Sequence, residues 1–113
     1  MKAITIKSIE TKTHPETKRL FWYIFASTRG GMNRIRIISH LRNMPTNTHK
    51  LAKVMGLDYK AVQHHLRTLE RNNLVTKVGS NYGVTYFPSV LFEGGEVIFD
   101  EIVAKLKVRN FIK

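Results

Sequence analysis

Within DYKAVQHHLRTLE, residues 58–70, a lysine, a glutamine, two histidines and an arginine stand among aliphatic residues at helical spacing. With Val62 set at zero and about 100° of turn per residue, Leu66 and Leu69 fall within about 40° of it, which makes these three a seam able to dock on a core. Lys60, Gln63, His64, Arg67 and Arg71 fall about 100–200° away, in one polar stripe roughly 16 Å long, while Ala61 and His65 flank the seam. Arginine and lysine can bond O6 and N7 of guanine, glutamine can pair bidentately with adenine, and the major groove of a duplex admits a helix. The stripe therefore has the functional groups to read base edges. A simply solvated helix face would look the same, so this helix alone leaves both readings open.

The rest of the chain favours a polyanionic partner. Its 113 residues carry 19 Lys and Arg against 8 Asp and Glu, a formal charge of +11, which suits nucleic acid first and an anionic membrane surface second. From Arg29 to Tyr82 ten basic residues (Arg29, Arg34, Arg36, Arg42, Lys50, Lys53, Lys60, Arg67, Arg71, Lys77) face only Asp58 and Glu70, a local balance of +8. Four of the eight acids, Glu93, Glu96, Asp100 and Glu101, gather near the C-terminus, so that region is expected to face away from the polyanion. Cysteine is absent, which excludes disulfides, thiolate metal sites and cysteine nucleophiles and agrees with a cytoplasmic setting. The apolar run LFWYIFA at 20–26 is far shorter than the roughly 20 residues that cross a bilayer.

The elements that would position the stripe can be read in order. Residues 1–17 suggest an arm or short edge strand, from the alternation at Ile4 and Ile6 and the interruption at Pro15. Glu16 to Thr28 reads as a helix apolar all round, ended by Arg29, Gly30 and Gly31 through a left-handed glycine. A second helix starts at an Asn33 cap, with Met32 stapling onto Ile37 and Ile35, Ile38 and Leu41 turned inward. Arg34, Arg36 and Arg42 fall mostly outside that stripe, and Pro45 closes the helix. Thr46 or Asn47 caps THKLAKVM, whose inner side is Leu51, Ala52 and Met55; Gly56 ends it and Asp58 opens the next helix, two helices about a tight turn. Then LVTKV (74–78), GSNYG (79–83) and VTYF (84–87) read as a β-hairpin. A last helix runs from about Gly95 to Val108, with acids early, bases late and Glu101 paired to Lys105.

The segment KLAKVMGLDYKAVQHHLRTLERNNLVTKVGSNYGVTYF resembles the winged helix-turn-helix of transcription regulators, most closely the ArsR-like group as found in archaea, over about residues 20–107. The resemblance rests on Leu51, Ala52, Gly56, Val62, Leu66, Leu69, Leu74, Val75 and the glycine-bounded tip. It implies that 59–72 is a recognition helix and 79–83 a wing tip. It departs from the metal sensors of that group in lacking their cysteine ligands. The expected fold is mainly α with a small β-hairpin (α+β): an arm over 1–17, a winged helix-turn-helix domain with terminal dimerisation helices over 18–108, and a tail at 109–113.

The resulting expectation is a cytoplasmic, homodimeric regulator of transcription that binds double-stranded DNA in a sequence-specific way. Base contacts would come from Lys60, Gln63, His64 and Arg67. The DNA backbone would be met by Thr46, Asn47 and Thr48 at a helix N-terminus, by Tyr59, Arg71 and Lys77, and by Ser80, Asn81 and Tyr82 of the wing. Asn81 serves turn geometry equally well. The dimer would form through Leu20, Phe21, Trp22, Ile24 and Phe25 with Ile98, Phe99, Ile102, Val103 and Leu106, unless these helices pack only on each other. The alternatives are a winged-helix protein-interaction module and a non-specific nucleoid or RNA-binding protein. No catalytic motif is present, so the chain is not expected to be an enzyme, and no metal or cofactor is expected. His64 and His65 diverge by about 100° on a helix and cannot share an ion, while His49 could approach one of them. A small-molecule effector among Trp22, Tyr23 and Phe25 is left open.

Overall fold

In the computed structural model, which describes residues 15–80 and 83–112, six helices surround a two-stranded antiparallel hairpin. Helix α1 (Pro15–Trp22) continues into a π-helical turn at Tyr23–Ser27; then come α2 (Gly31–Asn43), α3 (Thr48–Met55) and α4 (Tyr59–Arg71). The hairpin is β1 (Val75–Val78) and β2 (Thr85–Pro88), followed by α5 (Val90–Gly94) and α6 (Glu96–Ile112). Residues 1–14, Asn81, Tyr82 and Lys113 lie outside the described residues, and with them most of the expected arm and two of the expected wing residues, while residues 15–17 open α1 and are not part of an arm.

Local chemistry sets most boundaries. Asn47 caps α3 by accepting a hydrogen bond from the Lys50 amide, and Asp58 caps α4 by accepting one from Lys60, each satisfying an amide left free by the first turn. Gly56, at φ 66°, closes α3 in the left-handed region that glycine adopts without strain. Asn73, at φ 61°, ends α4: the Leu74 amide reaches back to the Leu69 carbonyl at 2.9 Å, and the chain leaves as a strand. The hairpin pairs Val75 with Pro88, Thr76 with Phe87, Lys77 with Tyr86 and Val78 with Thr85.

Three boundaries differ from the sequence reading. Helix α2 begins at Gly31, not after an Asn33 cap, and Gly30 precedes it without side-chain capping. Neither Gly30 nor Gly31 has a positive φ. The turn needs Gly31 for closeness, because a Cβ there would collide with the Phe25 carbonyl of the π-helical turn. Met32 is exposed, so it does not staple the helix start. A short helix at Val90–Gly94 precedes the expected last one, which runs from Glu96 and continues through the expected tail to Ile112. Ser89, whose Oγ accepts from the Phe92 amide at 3.0 Å and donates to the Asn73 carbonyl at 2.6 Å, caps the short α5 and ties it to the end of α4.

The core is one apolar cluster with an aromatic end. Phe21 of α1, Phe25 of the π-helical turn, Phe92 of α5 and Phe99 of α6 meet at ring-centroid distances of 5.0–6.5 Å. Edge-to-face geometry dominates, the arrangement that brings ring edge to ring face. Phe21, Ile24, Phe25, Ile98, Phe99 and Ile102, all expected at a dimer contact, are 0–1% exposed within this single chain. These residues are spent inside the chain, and of those expected at a dimer contact Leu20, Trp22, Val103 and Leu106 stay partly exposed. Lys105 Nζ lies 5.6 Å over the Trp22 ring and forms no ion pair with Glu101 among the described residues.

Gly31→Ala is expected to lower unfolding free energy by about 1–3 kcal/mol, as overpacking does, because the obstacle is backbone. Gly83→Ala, with open space at its Cβ, should shift stability by under about 0.5 kcal/mol. Urea denaturation of the two variants measures the contrast.

Candidate nucleic-acid interface

Helix α4 separates its two jobs by face. Val62, Leu66 and Leu69 are 0% exposed against α2, α3 and the start of β1. Lys60, His64, Arg67 and Arg71 are exposed and Gln63 half-buried. These are the five residues of the sequence-derived stripe, brought onto one open face.

The hairpin stands beside that face because of a contact with no sequence signal. The Tyr86 amide donates to the Thr46 carbonyl at 2.8 Å, so the link between α2 and α3 adds a bridge to the edge of β2. Between α3, α4 and the hairpin lies a groove of about 460 Å³, lined by Asn47, Thr48, His49, Tyr59, Gln63, Lys77 and Tyr86, among others. His49 and Tyr59 meet there ring to ring at 4.6 Å. His49 was considered only as a neighbour for His64 or His65, and the structure places it against Tyr59 instead. Its exposed place in the first turn of a capped helix was the available clue. Among the described residues no three histidines or carboxylates gather to hold a metal.

Thr46 and Thr48, expected at the DNA backbone, are only 7% and 8% exposed, because the first carries the bridge to Tyr86 and the second turns inward at the start of α3. Asn47 uses its side-chain oxygen on the Lys50 amide. Ser80 and Lys77 are exposed, Lys77 lying 3.6 Å from Glu70.

The local charge also needs redistributing. Arg42 binds Glu96 and Asp100 at 3.0 and 2.9 Å and lies 5.4 Å from the Phe99 ring centroid. Burial alone would lower its pKa, but the hydrogen bonds and charges of Asp100 and Glu96 raise it. Arg42 thus clamps α2 to α6 and does not belong to the open face. Arg34, read as outside the inward stripe, is 5% exposed. Its Nε donates to the Ile24 carbonyl at 2.9 Å, Nη2 to Thr28 Oγ1 and Nη1 to His65 Nδ1 at 3.3 Å. Burial pushes the Arg34 pKa down. Arg36 donates to the Met55 carbonyl at 3.1 Å, joining α2 to the end of α3.

Residues 32–77, from α2 into β1, match the family model described as bacterial regulatory protein, arsR family. Over this stretch the chain is similar to arsR-family regulators, and its architecture is that of a winged helix-turn-helix. The chain is similar in structure to the transcriptional regulator HlyU of Vibrio vulnificus, with 22% identity, TM-score 0.61 and coverage of 90% of this chain and 97% of that one. A MarR variant of E. coli, crystallised with operator DNA, aligns at 16% identity and TM-score 0.54 over 88% of this chain and 68% of that one. A ZitR variant of Lactococcus lactis aligns at 14% identity and TM-score 0.57 over 72% of this chain, which spans 56% of ZitR's length. A comparison with curated proteins found no match. No helix among the described residues is long and apolar enough to cross a membrane.

The histidine packed on Arg34 makes stability depend on pH. Burial first, then Arg34, then His64 lower the His65 pKa below its ordinary 6.5, so near and below that value the unfolded chain binds more protons than the folded one. Stability is complete above about pH 6.5 and falls as pH drops toward the depressed folded value. Thermal melts should show wild type losing more stability on acidification than His65→Gln.

Proposed function

We propose that this ArsR-like regulator binds specific sequences of double-stranded DNA as a homodimer in the cytoplasm, with α4 in the major groove. The observation that carries this reading is the division of α4, with three aliphatic residues wholly buried and Lys60, Gln63, His64, Arg67 and Arg71 on the open side. Lys60, Gln63, His64 and Arg67 read base edges, while Arg71, Tyr59 and Lys77 meet phosphates and the wing residues Ser80, Asn81 and Tyr82 follow the flanking backbone or minor groove. Thr48, whose side chain is turned inward, and Asn47 offer their backbone amides to a phosphate at the start of α3. Lys77 would exchange Glu70 for the DNA.

Pairing of two copies through Leu20, Trp22, Val103 and Leu106 would present two reading helices to half-sites about one DNA turn apart. This contact is narrower than the sequence suggested, since most of the apolar side chains are used inside each chain. Neither a protein-interaction module nor a non-specific binder is favoured by the arsR-family match and the fold, and both belong to regulators, not enzymes.

Selection of bound fragments from random duplex DNA should yield a preferred, inverted-repeat site. Lys60→Ala and Arg67→Ala should each cost about 1–3 kcal/mol on that site and relax base preference. Lys77→Ala should weaken all duplexes alike and reduce the salt slope by about one. A double variant Lys60→Ala/Arg67→Ala that binds as wild type does would refute the assignment of α4. Sedimentation should give a dimer at micromolar concentration and a monomer for Trp22→Ala/Leu106→Glu; a wild-type monomer would remove the pairing.

A further inference from the structure

Beyond its aliphatic seam, α4 is also held at a buried polar point, where three elements meet. The Arg34 guanidinium of α2 spans the gap between the end of α1, through the Ile24 carbonyl and Thr28 Oγ1, and α4, through His65 Nδ1. Gly30 makes room for both groups: a Cβ there would stand 2.5 Å from Arg34 Nη1 and 2.6 Å from His65 Cε1. Thr28 Oγ1 in turn donates to the Tyr23 carbonyl at 3.0 Å, so the guanidinium is tied into the π-helical turn. Among the described residues no carboxylate pairs with Arg34. Its charge is met only by neutral acceptors, and losing one of them leaves a buried cation short of compensation.

An acceptor at Nδ1 requires the neutral ring, with its proton on Nε2. A second proton converts that acceptor into a donor facing another cation at 3.3 Å. We propose that His65 is a positioning residue for the recognition helix: Arg34 holds its unprotonated Nδ1, and a proton taken up there from solvent frees α4 from the α1–α2 corner and weakens DNA binding. This rests on the DNA-binding reading of α4 and adds to it a pH-dependent control exerted from the side of the helix that DNA does not touch.

The groups around His65 identify what titrates. Arg34 from α2 and His64 on the same helix bear on it. Of the other elements packed on α4, α3 turns His49 toward Tyr59 and exposes Lys50 and Lys53, and β1 turns Lys77 toward Glu70. Arg36 of α2 is engaged with Met55. Burial first, then Arg34 and His64, lower the His65 pKa, so the neutral ring and its contact with Arg34 hold at neutral pH and open on acidification.

The sign of the effect separates this device from ordinary charge. Acidification without such a device only adds positive charge to a protein, which tightens its binding to a polyanionic duplex. Binding to a labelled mixed-sequence duplex of about three helical turns is measured by anisotropy from about pH 7.5 to about pH 5.5 at fixed salt. Wild-type affinity should fall by about fivefold or more, the low end of coupling between linked sites. His65→Gln keeps an oxygen acceptor but does not ionise, and its affinity should hold or rise over the same range. Wild type tightening in parallel with His65→Gln would overturn the proposal.

A readout without DNA keeps the two claims apart. In NMR spectra of the wild-type protein the Arg34 Nε–H signal and the protection of α4 amides should be lost together as His65 titrates. If both persist with His65 protonated, the positioning role is refuted whatever the duplex result. If they are lost while no duplex binds at any pH, the DNA reading fails and the coupling stands.

Discussion

The fold depends on a helix that must be gripped from one side only. Val62, Leu66 and Leu69 are wholly buried, and each such side chain contributes about 1.5–3 kcal/mol by leaving water. The opposite side needs none of that stabilisation and is free to carry cations and amide groups. Other elements serve this constraint. Helices α2 and α3 form the wall on which the three residues dock, Asp58 fixes where the helix begins, and Asn73 turns the chain directly into the hairpin that stands alongside.

Much of this was legible in the sequence because it rests on local rules. Asn47, Gly56 and Asp58 occupy positions their side chains or conformational freedom suit, and a heptad-like spacing of three aliphatic residues names its own buried face. The change of period after Asn73 marked the hairpin for the same reason. What stayed hidden is tertiary. Nothing in MPT at 44–46 announces that Thr46 will pair with Tyr86 forty residues on, and the cap at Ser89 was lost inside what looked like a single approach to the last helix.

Arginine was the least readable residue type. Periodicity placed Arg34 and Arg42 with the surface cations, yet one is buried and the other is clamped to Glu96 and Asp100 over two phenylalanine rings. Long side chains can cross from one helix to the next while their Cα positions stay outside the stripe, so a pattern of Cα angles cannot assign them. Net charge had the same weakness: the +8 of the central segment counted both as free. The aromatic helix erred in the other direction. Its width suggested an external partner, but α5 and α6 of the same chain cover Phe21, Ile24 and Phe25.

The pairing of Thr46 with Tyr86 makes the hairpin a third arm of the same frame that carries α3. Whatever stretch of polymer the molecule grips, its two outer limits are then spaced by that backbone pairing. Lengthening the tip beyond Gly79 would extend the reach without altering that spacing, so evolution can adjust how far this protein feels along a strand separately from what it reads there.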